Sequence, residues 1–193
     1  MTRVIAGAAG GRRLAVPPGR GTRPTSDKAR EAMFSTLEAL RGTVHGARML
    51  DLFGGSGAVG LEALSRGAEH VLLVEADNQA ARVIRENVRT LGLPGAEVRA
   101  AKAEKVIAGP PPQSPYDLVF LDPPYAVTDA ELREMLITLL AGGWLAEDTL
   151  VTVERSTRGG EFDWPGGFEG LRSRRYGEGT LWYGRAAAAD QQE

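Results

Sequence analysis

The sequence predicts an α/β fold: a mostly parallel sheet with helices on both faces and an antiparallel hairpin at its end. Three observations predict it. Near-continuous apolar runs at 47–52, 70–75, 97–101 and 116–121 read as strands buried on both sides. Helical spacing occupies the gaps between them, near 58–66, 78–91 and 103–108, and returns near 128–141, the alternation that builds a parallel sheet. Three later strands are expected at 149–154, 171–176 and 180–185, and Gly177-Glu178-Gly179 folds the last two into a hairpin at the sheet edge.

Ahead of the first sheet strand, 3–7 and 12–16 are short apolar stretches around Ala8–Gly11, the pattern of a small β-hairpin. Pro17–Thr25 is a Pro/Gly/Arg loop. Ser26 then has the position of an N-cap and Asp27 that of a first-turn acid. Ala29, Met33, Phe34, Leu37 and Leu40 follow at helical spacing, and Gly42 closes that helix. The expected division is an arm at 1–25, a main domain at 26–185 and a disordered tail at 186–193.

Composition narrows the chemistry. The 193 residues include no cysteine and only two histidines, so disulfides, thiolate nucleophiles and a histidine-based metal centre are not expected. No apolar run reaches the ~20 residues needed to span a bilayer. Met1–Arg13 lacks the apolar core of a secretory signal, so a cytoplasmic, membrane-free, monomeric protein is the expectation. The net charge is −2, yet residues 1–30 hold seven basic side chains against Asp27 alone, +6 (7 − 1), leaving −8 for the rest. A basic arm on an acidic body is suited to gripping phosphate at one end.

Asp51-Leu52-Phe53-Gly54-Gly55-Ser56-Gly57 follows the first sheet strand and opens a helix. Such a loop lets backbone N–H groups approach a ligand at a helix N-terminus. Gly55, Gly57 and Gly60 spell G-x-G-x-x-G, and Glu75 ends the second strand 20 residues beyond Gly55, where a carboxylate can take both ribose hydroxyls of a nucleoside cofactor. The pattern fits either a nicotinamide dinucleotide or S-adenosylmethionine. Asp51 favours the second, because it can hold the methionine ammonium and would repel a pyrophosphate.

Asp122-Pro123-Pro124-Tyr125 follows the fourth strand, at the carboxyl edge where ligands of open α/β sheets gather. An exocyclic amine on a base is a poor nucleophile because its lone pair is delocalised into the ring. The Asp122 carboxylate and Pro123 carbonyl can accept both of its N–H protons, on a backbone stiffened by two prolines. Transfer to such an amine needs proximity and in-line orientation more than a strong base. Tyr125 offers a ring for stacking an unstacked base.

These residues carry a family resemblance. DLFGGSGAVGLEALSRGA, VEAD and LDPPY are similar to motifs of the amino-methyltransferases. RVIAG, GRRLAVPPG and TRPTSDKAREAMF resemble the bacterial 16S rRNA (guanine-N2)-methyltransferases of the RsmD type, from about Arg3 to Tyr183. The resemblance implies a Rossmann-like class I S-adenosylmethionine-dependent methyltransferase fold with a seven-stranded sheet and a small N-terminal hairpin. It implies methyl transfer from S-adenosylmethionine to guanine N2, with 16S rRNA or the small ribosomal subunit as partner. Donor-binding roles fall to Asp51, Phe53, Gly54, Gly55, Ser56, Gly57, Glu75 and Ala76. The catalytic motif is Asp122, Pro123, Pro124 and Tyr125. Arg23, Pro24 and Thr25 are placed near the donor and incoming RNA, with Arg3, Arg12, Arg13 and Tyr125 as further RNA contacts. Relatives put an acid before alanine after the third strand, whereas this chain has Lys102-Ala103, so only Ala103 carries over to the donor adenine. DNA adenine, 23S rRNA and nicotinamide enzymes are the alternatives.

Trp144, Trp164 and Trp182 are expected to pack rather than bind. His45 is expected at the surface. Arg172, Arg174 and Arg175 are read as charges guarding a sheet edge.

Overall fold

The computed structural model describes residues 2–18 and 25–187. A two-stranded sheet pairs β1 (Thr2–Arg3) antiparallel with β2 (Arg13–Leu14). The other strands are β3 (Arg48–Asp51), β4 (His70–Glu75), β5 (Ala96–Ala100), β6 (Tyr116–Leu121), β7 (Leu145–Ser156), β8 (Phe168–Tyr176) and β9 (Gly179–Ala186). They form one seven-stranded sheet in the order β5-β4-β3-β6-β7-β9-β8. The β3–β4, β4–β5 and β6–β7 pairs are parallel, while β9 runs antiparallel to both β7 and β8. The terminal hairpin is present, with β9 inserted beside β7, so that β8 forms one edge of the sheet and β5 the other. The chain divides into two compact units, one up to Ala103 and one from Glu104.

The first unit holds α1 (Asp27–Arg41), α2 (Ala58–Ser65) and α3 (Asn78–Leu91). Ser26 caps α1 by accepting from the Ala29 N–H, and Gly42 ends it at φ 100°. Met33, Phe34, Leu37, Met49, Leu50, Leu72 and Ile84 are core residues. All of α2 is buried, which explains its continuous apolar sequence.

The arm is bound tightly into this unit. Val4, Ala9 and Leu14 are buried. Glu62, in α2, accepts from the Ile5 and Ala6 N–H groups at 2.8 and 3.1 Å. Ser65 Oγ accepts from the Ala9 N–H at 2.9 Å. The Asn87 amide both accepts from and donates to the Ala15 backbone, at 2.8 and 2.9 Å.

The second unit carries α5 (Asp129–Ala141), opened by a capping box in which Thr128 and Glu131 satisfy each other's backbone N–H. The short α4 (Ala103–Ile107) precedes it. Trp144 is buried and stacks on Tyr116, with ring centroids 6.2 Å apart. Trp164 meets Phe162 edge-on at 4.9 Å. Both are packing residues. Arg172, Arg174 and Arg175 are exposed along β8, as expected of charges on an edge strand. β9 runs through Ala186, which is buried; residues 188–193 of the expected tail lie outside the described residues.

Candidate active site

Asp51 ends β3, and the chain then turns through Leu52–Gly57 into α2. The turn closes through the Gly57 N–H on the Gly54 carbonyl (2.8 Å), and the Gly54 N–H ties it to the Val74 carbonyl of β4 (2.8 Å). Gly57 has φ 85° at the N-cap of α2, a left-handed conformation that disfavours any Cβ. A Cβ on Gly60 would come within 2.6 Å of Leu73 and 2.8 Å of Val71, so glycine is what lets α2 lie against β4. Ser56 is buried, and its carbonyl accepts from Asn87 Nδ2 at 2.9 Å. Asn87 thereby joins the arm to the glycine loop. Phe53 is half-buried beside it.

Glu75 ends β4 and faces this loop. Its Oε1 accepts from the Gly55 N–H at 3.0 Å and its Oε2 from the Asp77 N–H at 2.8 Å. Asp77 in turn caps α3, accepting from the Ala80 N–H. Each carboxylate oxygen retains a second lone pair, so Glu75 can shape the loop and still accept from a ligand. Ala76, beside it, is exposed.

Asp51 is 1% exposed. Burial pushes its pKa up to about 7, against the backbone N–H groups of Phe53 and Gly60, which favour the charged form; Glu75 adds a further upward push. The Gly60 contact explains part of the design: α2 has no side-chain N-cap, and Asp51 supplies an acceptor to its first turn instead. Oδ1 has no hydrogen-bond partner among the described residues. A buried carboxylate oxygen left without a donor is costly, and a cation with N–H groups would relieve it.

In the second unit, Asp122 is half-buried directly after β6, Pro123 is buried and Pro124 is exposed. Tyr125 is 78% exposed, unusual for a large ring. The Val127 N–H returns to the Pro124 carbonyl at 3.0 Å. Arg155, from β7, braces this turn by donating from Nη2 to the Val127 carbonyl and from Nε to Asp129 Oδ1, both at 2.8 Å.

On the arm, Arg3 and Arg13 are exposed and directly opposed across β1 and β2. Arg12 is exposed but engaged: its guanidinium donates to the Thr90 and Leu91 carbonyls at the C-terminal end of α3, where a cation meets otherwise unpaired carbonyls. Thr25 is buried, and Ala103 is buried at the start of α4. Arg23 and Pro24 lie outside the described residues. Among the described residues no group of His, Asp and Glu could hold a metal ion, and no helix is long and apolar enough to cross a membrane.

Glu62, Arg30 and Asn87 are not among the residues singled out from the sequence, yet they hold the arm, α1, α2, α3 and the glycine loop of the first unit together. Arg30 and Glu62 are fully buried and paired at 3.3 Å. Both left a signal. Glu62 is the one charged residue in the apolar stretch of α2, and Arg30 shares the helical stripe of Met33, Phe34 and Leu37.

Residues 2–185 match the family described as conserved hypothetical protein 95. The chain is 38% identical to ribosomal RNA small subunit methyltransferase D of Escherichia coli K12 over 158 residues, 82% of this chain and 76% of that protein. It is equally similar, at 38% over 155 residues, to the protein of the same name in Haemophilus influenzae, covering 79% of this chain and 77% of that one. A solved Escherichia coli structure, yhhF, described as a candidate methyltransferase, superposes with a TM-score of 0.84 at 32% identity, covering 96% and 97% of the two chains. These likenesses are to methyltransferases, and the nicotinamide alternative is not favoured.

Proposed function

Because the chain belongs to the RsmD family that conserved hypothetical protein 95 describes, we propose that it methylates the exocyclic N2 amine of a guanine in small-subunit rRNA, with S-adenosylmethionine as donor. The observation that carries this reading is the Asp122–Tyr125 turn at the end of β6, with its half-buried carboxylate and exposed ring. The similarity to relatives named as small-subunit rRNA methyltransferases supports the rRNA substrate.

The first unit fits the donor. The unpartnered Asp51 Oδ1 suits the methionine ammonium, and Glu75 has lone pairs to spare for ribose hydroxyls. A Cβ built on Gly55 would meet nothing within 4 Å, so the loop backbone is open to a ligand. When bound, the donor supplies an electrophilic methyl group on a sulfonium.

The second unit handles the amine. Asp122 and the Pro123 carbonyl accept its two N–H protons, which leaves the nitrogen lone pair directed away from them. Asp122 would hold one amine proton while the N–C bond forms and the methyl–sulfur bond breaks, the sulfur leaving as a neutral thioether, and would then pass that proton to water. Tyr125 stacks on the target base, which must leave its own stack to be reached. On the arm, two guanidinium groups facing each other on adjacent strands repel, and a phosphate between Arg3 and Arg13 removes that cost. These two, rather than the engaged Arg12, are the arm's primary phosphate contacts.

Small ribosomal subunits from cells lacking this protein provide the test. Incubated with purified protein and methyl-labelled donor, they should take up label at one guanine, recovered as N2-methylguanine. Donor binding without any label in ribosomal RNA would overturn the substrate assignment, and NADH binding without donor binding would overturn the reaction.

A further inference from the structure

Beside the Asp122–Tyr125 turn, within the second unit, lies a small, partly open groove in which, of the residues given roles in the transfer above, only Tyr125 takes part. Tyr125, Asp129, Arg155 and Ser156 line it together with Gly159, Gly160 and Phe162. We propose that this groove receives the base flanking the target guanine. The proposal rests on the rRNA methyl transfer argued above and adds a second base contact to it.

The lining favours a flat, uncharged aromatic group over an anion. Arg155, the cation of the groove, is already paired with Asp129 at 2.8 Å, so the two charges largely cancel and a phosphate gains little there. What remains as aromatic surface is the Tyr125 ring, 78% exposed, with one face for the target base and the other turned to its neighbour; Phe162, buried against Trp164, closes the floor of the groove. Gly159 and Gly160 contribute bare backbone, which a ring can approach closely. Stacking of bases on aromatic side chains is a common, sequence-tolerant way to hold unpaired nucleotides.

The need for such a contact follows from the reaction. Turning a guanine out to reach Asp122 deprives its neighbour of a stacking partner. A groove adjoining Tyr125 replaces that partner at the point where it is lost. Arg155 keeps groove and turn together, since the same guanidinium that lines the groove also holds the Val127 carbonyl just beyond Tyr125. The turn and the groove are therefore positioned as one piece.

Gly159 gives a clean test. A Cβ there meets no atom within 4 Å, and its φ lies outside the left-handed range, so larger residues can be introduced at this lining position without backbone strain. Gly159→Ala, Gly159→Leu and Gly159→Trp in the full chain should raise KM for unmethylated small subunits in order of side-chain size, by about tenfold for tryptophan. Donor affinity and kcat at saturating subunit should stay within about twofold of the parent, as expected of a contact that binds substrate uniformly. An active parent whose variants all keep its KM would overturn the groove alone. A parent that methylates no ribosomal RNA would overturn the underlying reading and the groove with it. A fall in kcat with KM unchanged would assign these residues to the chemistry and also overturn the proposal. If the tryptophan variant does not fold, the leucine variant decides by the same criteria.

Discussion

Glu62 offers the most demanding test of how this chain is held together. Its Oε1 accepts from the Ile5 N–H and Arg30 Nε, and its Oε2 from the Ala6 N–H and Arg66 Nε, at 2.8 to 3.3 Å. Arg30 and Glu62 are both fully buried. Arg30 also donates to the Arg3 carbonyl and to Asp27, so the arm, α1 and α2 meet at this carboxylate. Glu62→Ala leaves a buried guanidinium without its main counter-charge, a loss of roughly 3–5 kcal/mol. Two backbone N–H groups lose their acceptor as well, which places the total at the upper end, about 5 kcal/mol.

For a chain of this size, each kcal/mol corresponds to about 2–4 °C in Tm. Glu62→Ala should therefore lower Tm by about 10–20 °C, as read by calorimetry. Hydrogen exchange should locate the effect, with Ile5 and Ala6 losing protection first. Glu62→Gln, which keeps the shape and one acceptor, should fall between alanine and the parent. Replacing the pair with Arg30→Met and Glu62→Leu together should recover much of the loss, since no buried charge is then stranded. A Tm within about 3 °C of the parent for Glu62→Ala would refute the reasoning, because the carboxylate would then not be what secures Arg30 and the arm.

Four further outcomes follow from the site. Glu75→Ala should weaken donor binding by roughly 1–3 kcal/mol, or about 5- to 150-fold, in calorimetry; unchanged affinity would remove Glu75 from the donor site. Asp51 should impose a pH dependence on both stability and binding. Its folded pKa of about 7 stands above the ordinary 3.8, so the folded state retains a proton that the unfolded chain has released, and stability falls as pH rises between those values. Donor affinity should rise through the same window as the carboxylate ionises, and Asp51→Asn should flatten both profiles; a donor affinity independent of pH in the parent would exclude the ammonium contact. Asp122→Ala should abolish transfer with donor affinity nearly unchanged, Asp122→Asn retaining more activity than alanine; wild-type turnover by the alanine variant would refute the amine-holding role. Replacing Arg3 and Arg13 together by alanine should weaken RNA binding and make its salt dependence shallower by about 0.7–0.9 per lost phosphate contact, and an unchanged slope would leave the arm without a phosphate role. Substitution is the proper test here, because deleting the arm would also strip Glu62, Ser65 and Asn87 of their partners.

The elements were largely legible in the sequence, for reasons that can be traced. β4 is found at His70–Glu75 and α3 at Asn78–Leu91 as expected, because a sharp change from continuous apolar residues to helical spacing marks both boundaries. β7 was harder. It begins at Leu145, four residues before the expected start, through Glu147 and Asp148, which no periodicity identifies as strand. Asp148 even has φ 58°, an irregularity within a strand whose register with β6 shifts between Tyr116 and Leu118. Local composition cannot announce a bulge that pairing with a neighbour imposes. The arm shows the same limit on a larger scale. Its short apolar stretches indicate a hairpin, but its attachment depends on acceptors 56 or more residues away, in α2 and α3, that no local pattern reveals.

Asp51 shows where such long-range demands meet function. Its position after β3 was readable as a ligand contact, whereas its role in α2 was not. The same carboxylate accepts from the first turn of that helix, has its pKa pushed up to about 7 by burial, and has one oxygen without a donor among the described residues. For stability alone, a neutral or fully paired residue would serve better there, since burying a partly satisfied carboxylate is unfavourable. The arrangement becomes reasonable once a cationic ligand is included. An ammonium donating to Oδ1 would supply the missing hydrogen bond and draw the pKa down, converting an unfavourable burial into a charge-assisted contact. Local rules of folding are broken at this residue, and a bound ammonium would restore them, the pattern expected where a position serves binding rather than the fold.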